Sequence, residues 1–202
     1  MRVSECIQCS TFPCMDVKTD AHIVPDIEFD PALVSLVLIS EAAPEDSGNY
    51  YYAEGDPLFQ QTTLQSFISA GIAVDSFREL QDMGIYFTTA VKCAKTGYGI
   101  KAATIKECSL LLEKELDLFP NVKAYLLMGD VAIKAVNYIA KRAGGRRAIP
   151  AGSTYKIRGG DFYFRGVRAF PSYLQVGPSF GIEKSKQQMI GEDIAAAMEI
   201  LK

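Results

Sequence analysis

The run Leu33-Val34-Ser35-Leu36-Val37-Leu38-Ile39-Ser40 constrains this chain more than any other feature. A stretch that is almost wholly aliphatic, with no polar face, suits a strand covered by helices on both sides, as in a parallel sheet. Other segments fit the same plan. Residues 85–91, Ile-Tyr-Phe-Thr-Thr-Ala-Val, are β-branched and aromatic and predict a second strand; residues 124–128 predict a third. A helix is expected over about 58–70, stopped by Gly71. Residues 104–119 put Ile105, Cys108, Leu112, Leu116 and Phe119 on one helical face, closed by Pro120. Gly129-Asp130 turns the third strand into a helix reaching about Lys141. After the breaks at Gly144-Gly145 and Pro150-Ala151-Gly152, short strands are expected at 154–157, 162–164 and 167–170. A last helix from about Gln187 carries Ile190, Ile194, Met198 and Leu201 on one stripe. Residues 1–32 show no period. Strands alternating with helices predict an α/β fold, a three-layer α/β/α arrangement around a mainly parallel sheet. The 202 residues are expected to form a single domain.

In such sheets the site lies beyond the carboxyl ends of the strands, which directs attention to residues 41–57, 92–103, 129–130 and 171–186. Charge is unevenly spread. Residues 1–60 hold 11 acids against Arg2 and Lys18, whereas 141–186 hold ten bases against Asp161 and Glu183. That asymmetry points to an anionic partner such as nucleic acid, although a charge run is more often a solvated face. No apolar run approaches the roughly 20 residues of a membrane span, and the start of the chain lacks the apolar core of a secretory signal. A cytoplasmic protein is expected, with no membrane partner and a monomeric state.

Five cysteines without a signal argue for metal binding or plain burial rather than disulfides. Cys6-Ile7-Gln8-Cys9 is a C-x2-C pair, Cys93 and Cys108 form a wider pair, and Cys14 is left over. Four thiolates suit a zinc ion or an iron–sulfur cluster. Burial of Cys93 and Cys108 as small apolar residues is an equal alternative on spacing alone.

Taken together, the segments resemble the iron–sulfur-containing, family-four branch of the uracil-DNA glycosylase superfamily. The resemblance rests on several motifs in order: the N-terminal C-x2-C; Ile39-Ser40-Glu41-Ala42-Ala43-Pro44-Glu45-Asp46-Ser47-Gly48; and Tyr86-Phe87-Thr88-Thr89-Ala90-Val91-Lys92-Cys93. It continues through Cys108, Met128-Gly129-Asp130-Val131-Ala132, Arg158-Gly159 and Phe170-Pro171-Ser172-Tyr173-Leu174-Gln175. It implies a uracil-DNA glycosylase-like fold. It also implies a 4Fe–4S cluster on Cys6, Cys9, Cys93 and Cys108, with zinc as the alternative and Cys14 a bystander.

The resemblance further implies single- or double-stranded DNA as partner, in repair-type recognition of a deaminated base with hydrolysis of its N-glycosidic bond. A base flipped out of DNA must be stacked, read at its edge and stabilised as it leaves. By position, Glu41, Glu45 and Asp46 are the catalytic carboxylates, and Ala42, Tyr51, Thr89, Phe170 and Ser172 are the base-contacting residues. Arg165, Arg168, Lys184 and Lys186 are the candidate DNA contacts, with the 175–180 loop as an apolar wedge. Two positions depart from the family. Thr89 stands where the family has a base-reading Asn, and Phe170 where it has a His that stabilises charge on the uracil oxygen. The single histidine, His22, is expected to be a loop residue. The departures leave open a catalytically inactive homologue that binds DNA or a nucleotide. A phosphate-binding module resting on Gly129-Asp130 is a third class.

Overall fold

A computed structural model describes residues 1–11, 13–181 and 183–202. One six-stranded sheet runs through it, formed by β1 (Val17–His22), β2 (Leu36–Ala43), β3 (Ile85–Lys95), β4 (Ala124–Met128), β5 (Phe162–Phe164) and β6 (Val167–Ser172). The order is β1-β3-β2-β4-β6-β5. The four inner strands are mutually parallel, and the edge strands β1 and β5 run antiparallel to their neighbours.

The inner strands are mainly apolar because helices cover both faces, and β3 also buries Thr88, Thr89 and Lys92. Alternation along β2 sends Val37 and Ile39 to one side and Leu36 and Leu38 to the other, and β4 does the same with Tyr125 and Leu127 against Leu126 and Met128. The first side is packed by α4 (Ala102–Leu116), α5 (Asp130–Arg142) and the single turn α1 (Val3–Cys6). The second is packed by α2 (Leu58–Ser69), α3 (Phe77–Asp82) and α7 (Lys184–Glu199). The expected stripes are the buried ones, Ile105, Cys108, Leu112 and Leu116 on α4 and Ile190, Ile194 and Met198 on α7. The architecture is three layers, α/β/α, around a mainly parallel sheet. Among the described residues, no helix is long and apolar enough to cross a membrane.

Several local expectations are corrected. Residues 154–157 form a helical turn, α6 (Thr154–Ile157), rather than a strand. Arg158 N–H closes it onto Thr154 O, and the β-branched composition is overridden because β5 already ends the sheet on that side. Residues 17–22, read as irregular, form edge strand β1, so His22 is a half-buried strand residue. The strand was hidden because only Val17 among its residues is buried. Both β2 and β3 extend further than expected, pairing as far as Ala43 with Ala94. Glu41 and Ala42, and likewise Lys92 and Cys93, are therefore strand residues with ladder-fixed positions instead of loop residues.

Candidate functional site

The chain leaves β2 for β3 on one side and then returns to β4 on the other, so the loops after β2 and β4 diverge at their carboxyl ends. Glu41 stands in that opening. Its carboxylate accepts the backbone N–H groups of Asp130 and Val131 at the start of α5, where the helix dipole favours negative charge. Gly129 makes this approach feasible: it has φ +98°, and a Cβ there would lie 2.5 Å from Glu41 Oε1. Burial pushes the Glu41 carboxyl above its ordinary value, a rise opposed by the Lys95 charge and the two amides.

Glu41 lies on the shared wall of two adjoining lobes. The larger, about 930 Å³, is lined by Ala42, Pro44, Glu45, Asp46, Phe59 and Leu174 among others. The smaller, about 560 Å³, is lined by Asp130, Lys134, Tyr173 and Lys186. Lys95, Tyr98 and Leu174 border both. Tyr98 is fully exposed, with the Lys95 ammonium 6.0 Å from its ring centre, and Lys186 lies 5.5 Å from the ring centre of Tyr173. The lysines are partly neutralised: Lys134 pairs with Asp130, Lys186 with Glu183, and Lys18 with Glu45. Such exposed pairs are worth only about 0–1 kcal/mol each, so a phosphate can displace the carboxylate partner. Asp46 is engaged locally, accepting the N–H of Gly48 at 2.9 Å. Beyond Asp130 and Lys134 the smaller lobe continues into a 280 Å³ hollow that adds Lys141 and Arg147.

The base-contacting positions lie elsewhere. Ala42 lines the cleft, but Tyr51, Thr89, Phe170 and Ser172 are buried. The Tyr51 hydroxyl is hydrogen-bonded to Ser40 Oγ and takes a donor from the Gln175 amide at 2.9 Å. Gln175 is itself fully buried and closes this part of the core, a role that its loop position does not reveal. Thr89 Oγ1 has no hydrogen-bond partner among the described residues. Ser172 Oγ donates to Asp193 at 2.6 Å, and Asp193 also pairs with Arg158.

Of the four candidate DNA contacts, Lys186 faces the cleft. Lys184 is exposed at the start of α7. Arg165 pairs with Asp117 and Glu113, and Arg168 with Asp161; both sit on the β5–β6 hairpin at the sheet edge. Lys95, Tyr98, Lys134 and Tyr173 were not singled out from the sequence. The signal available was their place at the carboxyl end of a parallel strand or in the loop or helix that follows one.

All five cysteines are free thiols. Cys9, Cys14, Cys93 and Cys108 line one cavity of about 170 Å³, while Cys6 is exposed and is not part of the lining. Burial pushes the Cys93 thiol up to about 12 and that of Cys108 to about 11, and it raises Cys14 as well. The backbone N–H of Lys92 donates to Cys108 Sγ at 3.3 Å, and His22 Nδ1 lies 3.5 Å from Cys93 Sγ. Among the described residues, no three His, Cys, Asp or Glu side chains converge so as to hold a metal ion. Four sulfurs around a cavity do fit, in donor chemistry, a thiophilic group of several atoms.

No protein-family model matches this chain, and no curated protein matches it. Among solved structures, the crystal structure of wild-type UNG, a uracil-DNA glycosylase, from Nitratifractor salsuginis is similar to it at 13% identity and a TM-score of 0.39. The match covers 82% of this chain and 74% of that one. A likeness this distant carries no argument about activity.

Proposed function

We propose that this chain is a uracil-DNA glycosylase-like protein that binds DNA along the carboxyl edge of its sheet, in repair-type recognition of a damaged strand. The observation that carries the reading is the cleft around Glu41, where Lys95, Lys134 and Lys186 stand beside the exposed ring of Tyr98 and the partly buried ring of Tyr173. Lysines track a phosphate backbone, and tyrosines at its side supply faces on which unpaired bases stack. Lys141 and Arg147 extend the positive track. In this reading the burial of Tyr51, which the resemblance gives the base-stacking place and which is hydrogen-bonded to Ser40 and Gln175, favours a binding protein over one that excises uracil.

A second reading, hydrolysis of a glycosidic bond, is favoured by Glu41 alone. A half-buried carboxyl facing the cleft, with its pKa raised, is suited to general acid–base work or to stabilising positive charge at a sugar carbon. On the cysteine cavity we propose an iron–sulfur cluster whose contribution is structural, joining the N-terminal segment to β3 and α4.

The test uses single-stranded and duplex oligonucleotides carrying uracil, hypoxanthine or xanthine, followed by alkali. Salt-sensitive binding without strand breaks supports the binding protein, and breaks at one base support hydrolysis. Absence of binding at low salt removes both.

A further inference from the structure

We propose that Cys14, rather than Cys6, completes the cysteine set of an iron–sulfur cluster together with Cys9, Cys93 and Cys108. The C-x2-C spacing of Cys6 and Cys9 makes them look like a pair, and the resemblance implies the same. The fold separates them. Cys6 ends the single turn α1, in which Val3 is buried in the core, and Ile7, which follows the turn, is buried as well. With those two anchored inward, Cys6 is left on the solvent side. Cys6 is not among the residues that line the cavity.

Cys14 is fixed on the cavity from its other side. Two residues later, the Asp16 carboxylate accepts the backbone N–H of Lys101 at 2.6 Å and is hydrogen-bonded to the hydroxyl of Thr104. Val17 then enters the ladder opposite Lys95. The residues that follow Cys14 are thus tied to α4 and β3, the two elements that carry Cys108 and Cys93. Cys9 and Cys14 both line the cavity, as do Cys93 and Cys108.

The cavity also distinguishes the occupant. Four thiolates about 2.3 Å from a zinc ion enclose no free volume. Here four cysteines are among the residues lining a cavity of about 170 Å³, which is room for an inorganic core of several atoms. The N–H of Lys92 on Cys108 Sγ is the kind of donor that disperses charge on a cluster thiolate. This assignment is independent of the DNA reading and survives its failure.

The full-length protein, C6S and C14S are to be prepared anaerobically and analysed for iron, acid-labile sulfide, visible absorption and the electron paramagnetic resonance of the reduced state. C6S is expected to match the wild type in all four. C14S is expected to lose most of its iron and sulfide or to give a changed resonance, while keeping its far-ultraviolet circular dichroism. A variant-free measurement guards against misfolding of C14S: alkylation of the iron-loaded wild type should label Cys6 and spare Cys14, and removal of iron should expose Cys14. Loss of iron in C6S overturns the assignment, as does labelling of Cys14 with the iron retained. Zinc without sulfide, or a protein that takes up neither metal on reconstitution, overturns the cluster itself.

Discussion

Replacing Lys92 by methionine probes the interior polar group that docks α4 on β3. The Lys92 ammonium and the Glu115 carboxylate are both 0% exposed. Lys92 Nζ donates to Glu115, to Thr88 Oγ1 at 2.7 Å and to Thr89 O at 2.8 Å, so all three of its protons are used. Glu115 Oε1 accepts from the hydroxyls of Tyr86 and Thr88, each at 2.8 Å. Methionine keeps the length of the stem and removes the charge, leaving a buried carboxylate with two hydroxyl donors. Removing one member of a buried pair costs about 3–5 kcal/mol, and the lost hydrogen bonds are contained in that figure. In the double variant K92M/E115L no charge is stranded. What persists is the desolvation of the Tyr86 and Thr88 hydroxyls, about 1–3 kcal/mol each where no new partner is found. The double variant should therefore be less destabilised than the sum of K92M and E115L by about 2 kcal/mol or more, as expected for residues in one network. Equilibrium urea unfolding of the four proteins, with midpoints compared at a common slope, measures this. A cost below about 1 kcal/mol for K92M, or strict additivity, would refute the reasoning, because either places the Lys92 head in water.

Other outcomes follow from the cleft. The Glu41 carboxyl, raised by burial, stays protonated in the folded protein at pH values where the unfolded chain is ionised. Its contribution to stability is full below about pH 4.3 and is lost as pH rises through the folded value, so E41Q should show a shallower fall in stability across that window in pH-dependent unfolding. K95A and K186A should each weaken oligonucleotide binding and lower the slope of log affinity against log salt by about 1, measured by fluorescence anisotropy, whereas R165A, on the β5–β6 hairpin and outside the cleft lining, should change neither. Y98A should weaken single-strand binding by about 1–3 kcal/mol and shift the melting temperature little, since the ring is fully exposed. G129A should destabilise the fold by more than about 1 kcal/mol in thermal melts, because φ is +98° and the new Cβ would meet Glu41.

The elements that were legible in the sequence are those whose pattern is local and strong. The continuous apolar run of β2, the apolar strand β4 (Ala124–Met128) and the α4 stripe are visible because burial on a sheet or helix face imposes its period on neighbouring residues. Edge strand β1 was not visible, since a strand with one wet face and a single buried residue carries little pattern. Turn α6 was misread for the opposite reason: its β-branched residues have propensity but no neighbouring strand to pair with. At the cleft, Glu41 was identified from its motif, yet its contact with the amides of Asp130 and Val131 depends on α5, some ninety residues away. Tyr51 was identified as an aromatic at the site, but whether its ring faces a ligand or the core is set by Gln175, which arrives from beyond β6.

The sequence by itself determined the layers of this protein, the helical and strand faces that build its two cores, and the end of the sheet where the cleft opens. All of these follow from periodicity, which a chain writes residue by residue. Tertiary structure alone decided which side chains of that plan face a cavity. It turned Cys6 to solvent and Cys14 inward, paired Arg165 and Arg168 with acids, and brought Lys95, Tyr98 and Lys186 to one rim. The physical reason is that neighbours in sequence share a backbone but not an orientation. Orientation is settled by long-range docking, as when Val3 and Ile7 bury in the core, the Asp16 carboxylate binds Lys101 and Gln175 closes over Tyr51.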